Sequence, residues 1–209
     1  EQQNPRQKVF GSVVEVLGSP EDPKAEKRAL LVEFGVDDYI PDAAVEEEER
    51  LLETDWSAEY EKREDLTGLF TVTIDPEDAY DFDDAISVER ADGGWKVHVH
   101  IADVSCFVRA GGAIDDMARR RLNSVYLADC VVPMLTERLT HELACLSEGK
   151  ARLAKTVSFF VNAKGEVRKV KILRSVVRSD RRLEYVEAAR WIEEGGGGRA
   201  GEMLRVAWD

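Results

Sequence analysis

The sequence predicts an α+β fold, in which a strand-rich domain is interspersed with short helices. Three observations support this class: the chain is long and apolar enough to bury a core, two glycine turns each separate a pair of strand-like runs, and helical segments fall irregularly between the strands. The glycine turns lie at residues 92–94 and 163–165. Apolar, β-branched runs predict strands at residues 69–74, 84–89, 95–105, 151–162 and 166–177.

The first part of the chain predicts a strand followed by two helices. Residues 8–17 are β-branched and apolar and end at a Gly-Ser-Pro turn. Residues 24–34 form a predicted helix with Leu30, Leu31 and Phe34 on one side. Pro41 suits the first turn of a second helix that reaches about Leu52. Its acidic run at residues 46–49 is expected to be a solvated face.

Residues 53–68 are highly charged and lack an apolar period, so they predict a linker across a domain boundary. Later segments predict helices at residues 114–122, 137–146, 185–193 and 201–209. In the third of these, Val186, Ala189 and Trp191 are the candidates for packing. Residues 124–135 predict a short extended stretch, and residues 195–198 are all glycine and predict a break.

Composition favours a soluble protein of a reducing compartment, with the cytoplasm expected first and an organelle matrix as the alternative. Neither a secretory signal at the first residues nor an apolar run of membrane-spanning length is visible in the sequence. The three cysteines are an odd number without a CxxC spacing, which predicts free thiols.

The formal net charge is −13, which alone would count against a nucleic-acid partner. The charges are unevenly distributed, however. Residues 71–116 carry 3 basic and 11 acidic groups, whereas residues 117–192 carry 16 basic and 8 acidic groups. An acidic segment followed by a basic segment suits a protein that binds a cation next to a surface for a polyanion such as RNA. Charged side chains that are merely solvated and have no binding role would give the same charge distribution.

The most informative segment is residues 74–85, in which six acidic side chains fall between two apolar strands. Carboxylates this close repel one another and raise each other's pKa values unless a cation neutralises them. Oxygen ligands without histidine or cysteine favour Mg²⁺ or Mn²⁺, which support phosphodiester hydrolysis when a substrate phosphate completes the shell. A dense acidic turn without a metal is the alternative.

Other motifs fit the sequence less well. A calcium loop beginning at Asp75 would have Glu77, Tyr80 and Ile86 at positions that need Asp or Asn, Gly and Glu. Phosphate-loop and dinucleotide glycine patterns are absent. His98 and His100 are two residues apart on a predicted strand, so both side chains would lie on one face, as in a His-x-His metal site. No third ligand has a suitable spacing, and a structural role is therefore expected.

Five motifs follow one another in order along the sequence. They are TIDPEDAYDFDDAIS (73–87), VHIADVS (99–105), SVYLADCVVPML (124–135), LTHELACLSEGKARLA (139–154) and RLEYVEAARWIEEG (182–195). Together these motifs resemble the RNB catalytic domain of the ribonuclease II and ribonuclease R family. Upstream, residues 13–23 resemble the end of the family's second cold-shock-like domain, so the resemblance covers nearly the whole chain.

The resemblance implies roles for six residues. Asp75 and Asp84 would hold magnesium, Asp81 would support that shell and contribute to catalysis, and Asp83 would be tied most closely to cleavage. Two further residues, Tyr126 and Tyr185, would line the pocket for the base at the RNA 3′ end, although composition alone would make both tyrosines packing residues.

The implied activity is magnesium-dependent, processive 3′→5′ hydrolysis of single-stranded RNA to nucleoside 5′-monophosphates, with Mn²⁺ a possible substitute. The implied organisation is a small β-barrel-like OB (cold-shock) remnant with a helical connection over residues 1–52, a linker over 53–68, and the front half of the RNB domain over 69–209. The remaining half and an S1 domain are expected partners, either in the same polypeptide or as a separate chain.

Two departures from the family pattern bear on these expectations. Tyr80 stands before Asp81, where family members commonly have a basic residue. The family's domain also continues well beyond 209 residues, so the chain alone is expected to bind single-stranded RNA weakly and to show no processive degradation. A catalytically inactive RNB-fold RNA-binding or scaffold protein, and an unrelated phosphohydrolase of small phosphoesters, are the alternatives.

Overall fold

The computed structural model describes residues 11–208, which form two compact units. The first contains residues 11–39 and Val125–Val132, and the second contains Ile40–Ser124 and residues 133–208. No helix within residues 11–208 is both long and apolar enough to cross a membrane.

The first unit contains helix α1, Pro23–Glu33. The Asp22 carboxylate caps this helix by accepting a hydrogen bond from the Lys24 N–H, and Pro23 occupies its first turn, so the predicted boundaries are close to the observed ones. The predicted packing face is correct for Leu31, which is buried, and wrong for Leu30 and Phe34, which are exposed.

The predicted strand at residues 8–17 is not formed in its described part. Residues 11–17 have no regular structure, and residues 8–10 lie outside the described residues. Val13, Val14 and Val16 are at least 84% exposed. A strand needs a neighbouring strand for its backbone hydrogen bonds, and the described residues supply none to this segment.

The second unit is built on a seven-stranded mixed sheet. Its strands are β1 (Glu64–Asp65), β2 (Thr71–Asp75), β3 (Asp84–Ala91), β4 (Gly94–Ala102), β7 (Ala151–Asn162), β8 (Val167–Arg178) and β9 (Arg181–Glu184), in the spatial order β1-β8-β7-β4-β3-β2-β9. The β1–β8 and β2–β9 pairs are parallel and the others antiparallel. Both predicted hairpins are present, and β5 (Val125–Tyr126) and β6 (Val131–Val132) form a separate small pair within the first unit.

Helices cover the two faces of this sheet. They are α2 (Asp42–Glu53), α3 (Ser57–Tyr60), α4 (Val104–Phe107), α5 (Ala113–Arg121), α6 (Tyr185–Glu193) and α7 (Gly198–Trp208), with a π-helical turn at Leu139–Leu143. One core includes Ala44, Phe107, Ile114, Met117 and Leu139. A second core contains Val72, Leu183, Trp191 and Met203, and it packs α6 on β2 and β9 and α7 on β3.

Three helical predictions need correction. The helix predicted at residues 137–146 is only the five-residue π-helical turn. Helix α6 has the predicted bounds, but it buries Ala188 and Trp191, while Val186 and Ala189 are exposed. Helix α7 begins at Gly198, three residues earlier than predicted, because Gly201 lies inside the helix against the Gly196 carbonyl.

The acidic run of α2 is not simply a solvated face. The Glu47 carboxylate accepts a hydrogen bond of 3.1 Å from the Ile114 N–H in the first turn of α5. The Glu48 carboxylate is buried and accepts one of 2.9 Å from the Leu139 N–H at the start of the π-helical turn. The two glutamates therefore accept hydrogen bonds from N–H groups in the first turns of helices that are far away in the sequence. The local sequence around residues 47 and 48 does not indicate this role.

Residues 53–68 differ from the linker predicted there, because they contain α3 and β1. The Arg63 side chain is fully enclosed and pairs with Asp103 at 2.8 Å, following β4. Trp56 and Leu66 pack against the first core. This highly charged segment therefore contains a residue of a buried ion pair and an edge strand of the main sheet, neither of which its composition indicates.

Candidate functional site

The predicted acidic residues lie at one end of the main sheet. Asp75 is the last residue of β2, and Asp84 is the first residue of the antiparallel neighbour β3. Asp81 and Asp83 belong to the loop that joins these strands. Because β2 ends where β3 begins, the chain returns to the same edge and brings the four aspartates together.

The charges of these aspartates interact with one another. Burial, and then the charges of Asp81, Asp84 and Asp75 in decreasing order of effect, together raise the pKa of Asp83 to about 6. The Asp83 residue as a whole is exposed to solvent. Its carboxyl group, however, is poorly hydrated and lies near the carboxyl groups of the other three aspartates. The cluster is therefore an electrostatically costly arrangement without a cation.

Asp75 is the most enclosed member of the cluster. Only 9% of this residue is exposed, and its Oδ2 atom is buried without a hydrogen-bond partner. Burial raises its pKa, while the Thr73 hydroxyl and Arg182 lower it and the charges of Asp84 and Asp81 raise it. The Thr73 hydroxyl lies close enough to act on the carboxyl but makes no hydrogen bond of normal geometry. Asp75 therefore presents an unsatisfied anionic oxygen.

Arg182 of β9 anchors the start of the acidic loop. Its Nη2 atom donates hydrogen bonds to the carbonyl oxygens of Pro76 and Glu77 at 2.8 and 2.7 Å. Its guanidinium group lies 5.1 Å from the centre of the Phe82 ring, within the range of a cation–π contact. The Glu148 carboxylate accepts a hydrogen bond from the Arg182 backbone N–H.

The second half of the loop is held by the segment that follows the π-helical turn. The Cys145 thiol accepts a hydrogen bond from the Phe82 N–H at 3.4 Å and donates to the Tyr80 carbonyl at 3.7 Å. The Leu146 N–H donates to the Phe82 carbonyl at 2.8 Å. The Ala102 N–H donates to the Asp83 carbonyl at the same distance. The backbone between Tyr80 and Asp83 is thus fixed on both sides.

The donor set suits a hard divalent cation, since it consists of carboxylate oxygens and includes the unpartnered Oδ2 of Asp75. Within residues 11–208, however, no three histidine, cysteine, aspartate or glutamate side chains are grouped closely enough to hold a metal ion. The aspartates are therefore close enough for their charges to interact, but their carboxylate oxygens are not close enough together to form a complete metal site.

The two predicted base-contacting tyrosines fall in different units. Tyr185 is the first residue of α6 and follows Glu184, which pairs in register with Asp75. It is 58% exposed at the same sheet end as the aspartates. Tyr126 lies in β5 of the first unit and is 72% exposed. Both side chains are open to solvent, and their contact with RNA stays a prediction.

His98 and His100 occupy buried structural positions, as the lack of a third ligand suggests. The His100 ring is hydrogen-bonded to Ser87 at 2.9 Å and to Thr156 at 2.8 Å. Further hydrogen bonds extend this chain to Thr71 of β2 and Ser175 of β8. The result is a buried polar row across five strands, which fixes their side-chain register.

Sequence reasoning missed Arg182, Cys145 and Glu148 as loop-positioning residues. Arg182 begins the motif at residues 182–195, but the motif does not indicate that this arginine contacts the acidic loop. Its position beside the loop depends on the parallel pairing of β9 with β2, which joins residues more than a hundred positions apart. Cys145 and Glu148 both belong to the motif at residues 139–154, but their residue types do not indicate a contact with the acidic loop.

Fold and site together define an α+β domain that gathers four aspartates at one end of a mixed sheet. The chain belongs to the RNB domain family, that of ribonuclease II and ribonuclease R, because the family's sequence profile matches residues 63–205. This assignment confirms the resemblance and the RNB fold class, while the OB remnant before it stays a prediction.

Comparison with individual proteins supports the assignment. The chain is 37% identical to ribonuclease R of Thermotoga maritima over 194 residues, covering 91% of this chain and 27% of that protein. It is 39% identical to DIS3-like exonuclease 2 of Xenopus tropicalis over 189 residues, covering 87% of this chain and 22% of that protein. The chain thus spans about a quarter of the length of the curated relatives it matches.

Solved structures agree on the fold. RNase R of Mycoplasma genitalium, in complex with ribose-methylated single-stranded RNA, superposes with a TM-score of 0.84 at 28% identity, over 94% of this chain and 31% of that chain. Yeast Ssd1, a pseudonuclease, superposes with a TM-score of 0.73 at 17% identity, over 89% of this chain and 24% of that chain. The fold therefore occurs both with and without nuclease activity.

Proposed function

We propose that this chain supplies the acidic site of a magnesium-dependent 3′→5′ exoribonuclease that hydrolyses single-stranded RNA processively to nucleoside 5′-monophosphates. The observation that carries the proposal is the cluster of four mutually repelling aspartates at the end of an RNB sheet. A cation would relieve that repulsion, and RNA phosphate would complete its ligand shell. The cytoplasm is the proposed site of action.

Each aspartate has a proposed part in this reaction. Asp75 and Asp84 hold Mg²⁺, for which Mn²⁺ can substitute, and Asp81 supports that shell and the cleavage step. When bound, the cation supplies Lewis-acid stabilisation of the charge that develops during phosphodiester cleavage. Asp83, with its pKa raised towards neutrality, is suited to hold or accept a proton at its carboxylate close to the scissile phosphate.

The neighbouring residues serve to position the reactive groups. Arg182 and Cys145 fix the loop backbone, so the carboxylates of Asp81 and Asp83 need little reorganisation when substrate binds. Tyr185 and Tyr126 are proposed to stack on bases near the RNA 3′ end. The rest of the RNB domain and an S1 domain, supplied by the same polypeptide or a separate chain, are the proposed partners in substrate capture.

Single-stranded RNA labelled at either its 3′ or its 5′ end tests the activity directly. The polypeptide that contains this chain should release labelled mononucleotides immediately from 3′-labelled RNA and shorten 5′-labelled RNA progressively, and EDTA should stop both reactions. Asp92→Asn, in the β3–β4 turn away from the cluster, is the matched control and should keep parental activity. Release of internal fragments, or activity in EDTA, would overturn the proposal.

Metal binding tests the site separately from activity. Asp75→Asn should weaken Mn²⁺ binding, measured by calorimetry, by at least about tenfold, because it removes the most enclosed anionic ligand. Excess Mn²⁺ should partly restore hydrolysis in this variant. Unchanged Mn²⁺ affinity would exclude Asp75 as a ligand.

A catalytically inactive RNA-binding protein is the second candidate, favoured by the absence of a preformed three-ligand group within residues 11–208. RNA binding without hydrolysis under both Mg²⁺ and Mn²⁺, in the polypeptide with its complete RNB domain, would support it. Turnover of mononucleotides or sugar phosphates in place of RNA would instead indicate a small-phosphoester hydrolase.

A further inference from the structure

The hairpin formed by β7 and β8 concentrates positive charge in an acidic chain. Residues 151–178 contain eight basic residues and only one acidic residue, Glu166, whereas the whole chain has a net charge of −13. Neither strand itself contains an aspartate or glutamate. Segregation on this scale produces a local positive potential that attracts polyanions.

Most of β8 lies at an open edge of the sheet. Within residues 11–208, its outer neighbour is β1, which pairs only with Ser175 and Val176, at the end of β8 away from the hairpin turn. Among residues 11–208, no strand pairs with the outer edge of residues 167–174. Residues 167–172 are exposed, and Ile172 is 77% exposed. A partner can therefore approach the backbone and the basic side chains of this edge together.

A bulge shapes the centre of this edge. The pairing of β7 with β8 shifts between Ser158 and Phe160, and Lys169 opposite this shift has φ of 55°. A lysine in the left-handed region is strained, and such strain is retained only where the surroundings enforce it. The Lys169 ammonium lies 5.8 Å from the centre of the Phe160 ring. The bulge thus places a cation beside an aromatic ring.

The basic residues of the hairpin differ in their pairing. Arg168 pairs with Glu166 at 2.6 Å, and Arg174 pairs with Glu59 of α3. Lys155 contacts Asp103 at 3.6 Å. By contrast, Lys169 and Lys171 make no ion pair with any residue in the described part of the chain. Their charges are available to an external anion without the loss of an existing salt bridge.

The hairpin extends away from the aspartate cluster. In the β4–β7 pairing, Ala102 and Ala154 lie at the acidic end, and Gly94 and Asn162 lie at the opposite end. Eight residues of strand separate these positions, a distance of roughly 26 Å at about 3.3 Å per residue. A chain molecule whose end lies at the aspartates could therefore continue along the basic hairpin.

We propose that the open edge of β8, with Lys169 and Lys171 at its centre, binds the phosphate backbone of single-stranded RNA upstream of the 3′ end. This inference rests on the proposed function and adds a second contact region to it. Cations that make no ion pair within residues 11–208, beside a partly exposed aromatic ring, are the combination that binds single-stranded nucleic acid with little sequence preference. An acidic protein segment is the competing occupant.

Fluorescence anisotropy with a labelled single-stranded oligoadenylate of about 20 nucleotides tests the proposal. The 209-residue chain is titrated in EDTA, so that hydrolysis does not contribute, at several salt concentrations. The test variant is Lys169→Asn/Lys171→Gln, in which asparagine tolerates the left-handed backbone of the bulge. Lys24→Gln/Lys62→Gln removes the same charge from exposed positions in α1 and after α3 and is the matched control.

The test variant should bind the oligoadenylate about tenfold more weakly at low salt, and its slope of log affinity against log salt should fall by about 1.4, or ~0.7 for each lost phosphate contact. The control should change neither quantity. Equal affinity and slope in the test variant and parent would overturn the proposal. Retained RNA binding with lost binding of polyglutamate would assign the edge to an acidic protein and also overturn it.

Failure of the proposed function is distinguishable from failure of this inference. If the polypeptide with its complete RNB domain hydrolyses no RNA but the anisotropy differences appear, the nuclease proposal fails and the RNA-binding edge stands. If hydrolysis occurs and is abolished by Asp83→Asn while the test variant binds RNA like the parent, the acidic site stands and the β8 edge is overturned.

Discussion

Arg182 holds Glu77 in place: its Nη2 atom donates a 2.7 Å hydrogen bond to the Glu77 carbonyl at the start of the acidic loop. The same atom reaches the Pro76 carbonyl, and the guanidinium group stacks on Phe82. A single side chain of β9 therefore fixes the backbone that follows Asp75. The shape of the acidic site depends on a residue that carries none of its negative charge.

Replacing this residue by lysine should loosen the loop. Lys can neither reproduce the planar contact with Phe82 nor bridge both carbonyls as effectively, so Arg182→Lys should lower the free energy of unfolding by about 1–2 kcal/mol. Mn²⁺ affinity should also fall, since the loop carries Asp81 and Asp83. Urea unfolding and calorimetry measure the two effects. Arg178→Lys, whose parent side chain makes only a long 3.4 Å bond to Thr67, should change neither.

Asp83→Asn should separate catalysis from binding. The change keeps the size of the side chain and removes a charge whose main use is in the transition state, so kcat should fall by at least about a thousandfold while RNA affinity changes little. Single-turnover hydrolysis and anisotropy measure these quantities. Parental cleavage by this variant would show that Asp83 is not the central catalytic residue.

The buried row containing His100 predicts a pH-dependent stability. Burial, and to a lesser degree the His98 charge, lower the pKa of His100 from its usual value of 6.5 to about 4. Between pH 4 and pH 6.5 the unfolded chain therefore binds a proton at His100 that the folded chain does not bind. The free energy of unfolding consequently decreases as the pH falls from about 6.5 towards 4. For His100 alone the loss amounts to about 3 kcal/mol.

His100→Gln should flatten this part of the profile. Glutamine can donate to and accept from Ser87 and Thr156 but does not titrate, so its unfolding free energy should change less than the parent's between pH 7 and pH 4. Urea unfolding across this range measures the difference. His141→Gln, at a side chain that is 37% exposed, is the control and should keep the parental slope. Parallel profiles for His100→Gln and parent would contradict the prediction.

The enclosed pair of Arg63 and Asp103 should be costly to break from one side. Asp103→Asn removes the 2.8 Å carboxylate partner of the buried Arg63 guanidinium group and leaves it only the Glu59 carboxylate at 2.9 Å, so it should lower the unfolding free energy by about 3 kcal/mol. The double variant Arg63→Met/Asp103→Asn removes both charges and should be less destabilised than the two single variants Arg63→Met and Asp103→Asn together. Chemical denaturation of the four proteins of this cycle gives the coupling. Additive losses would show that the two residues act independently.

The sequence was sufficient to predict most strands, both main hairpins and the grouping of the acidic residues. Alternating apolar residues and glycine turns are local signals, so β3 with β4 and β7 with β8 could be paired from neighbouring segments. The loop between β2 and β3 is short, and its aspartates therefore lie close together in any fold that pairs these strands. The RNB family could likewise be identified from the motifs alone.

Burial and long-range contacts were less predictable. Leu30 and Phe34 look like core residues in the sequence but are exposed, whereas Glu48 looks solvated but is buried as a cap for Leu139. Hydrophobicity describes a side chain's preference averaged over many environments. The environment itself depends on which distant segment packs against that side chain.

The local elements and the number and spacing of the aspartates follow from residue types a few positions apart, so the amino-acid sequence specifies them directly. The parallel pairing of β9 with β2 depends instead on how the whole chain folds, and it places Arg182 on the acidic loop and Glu184 beside Asp75. Among residues 11–208, the folded arrangement likewise leaves one edge of β8 open, with two lysines that make no ion pair. Parallel pairing between strands that are distant in sequence depends on the packing free energy of the whole core. That free energy cannot be read from a short segment of the sequence.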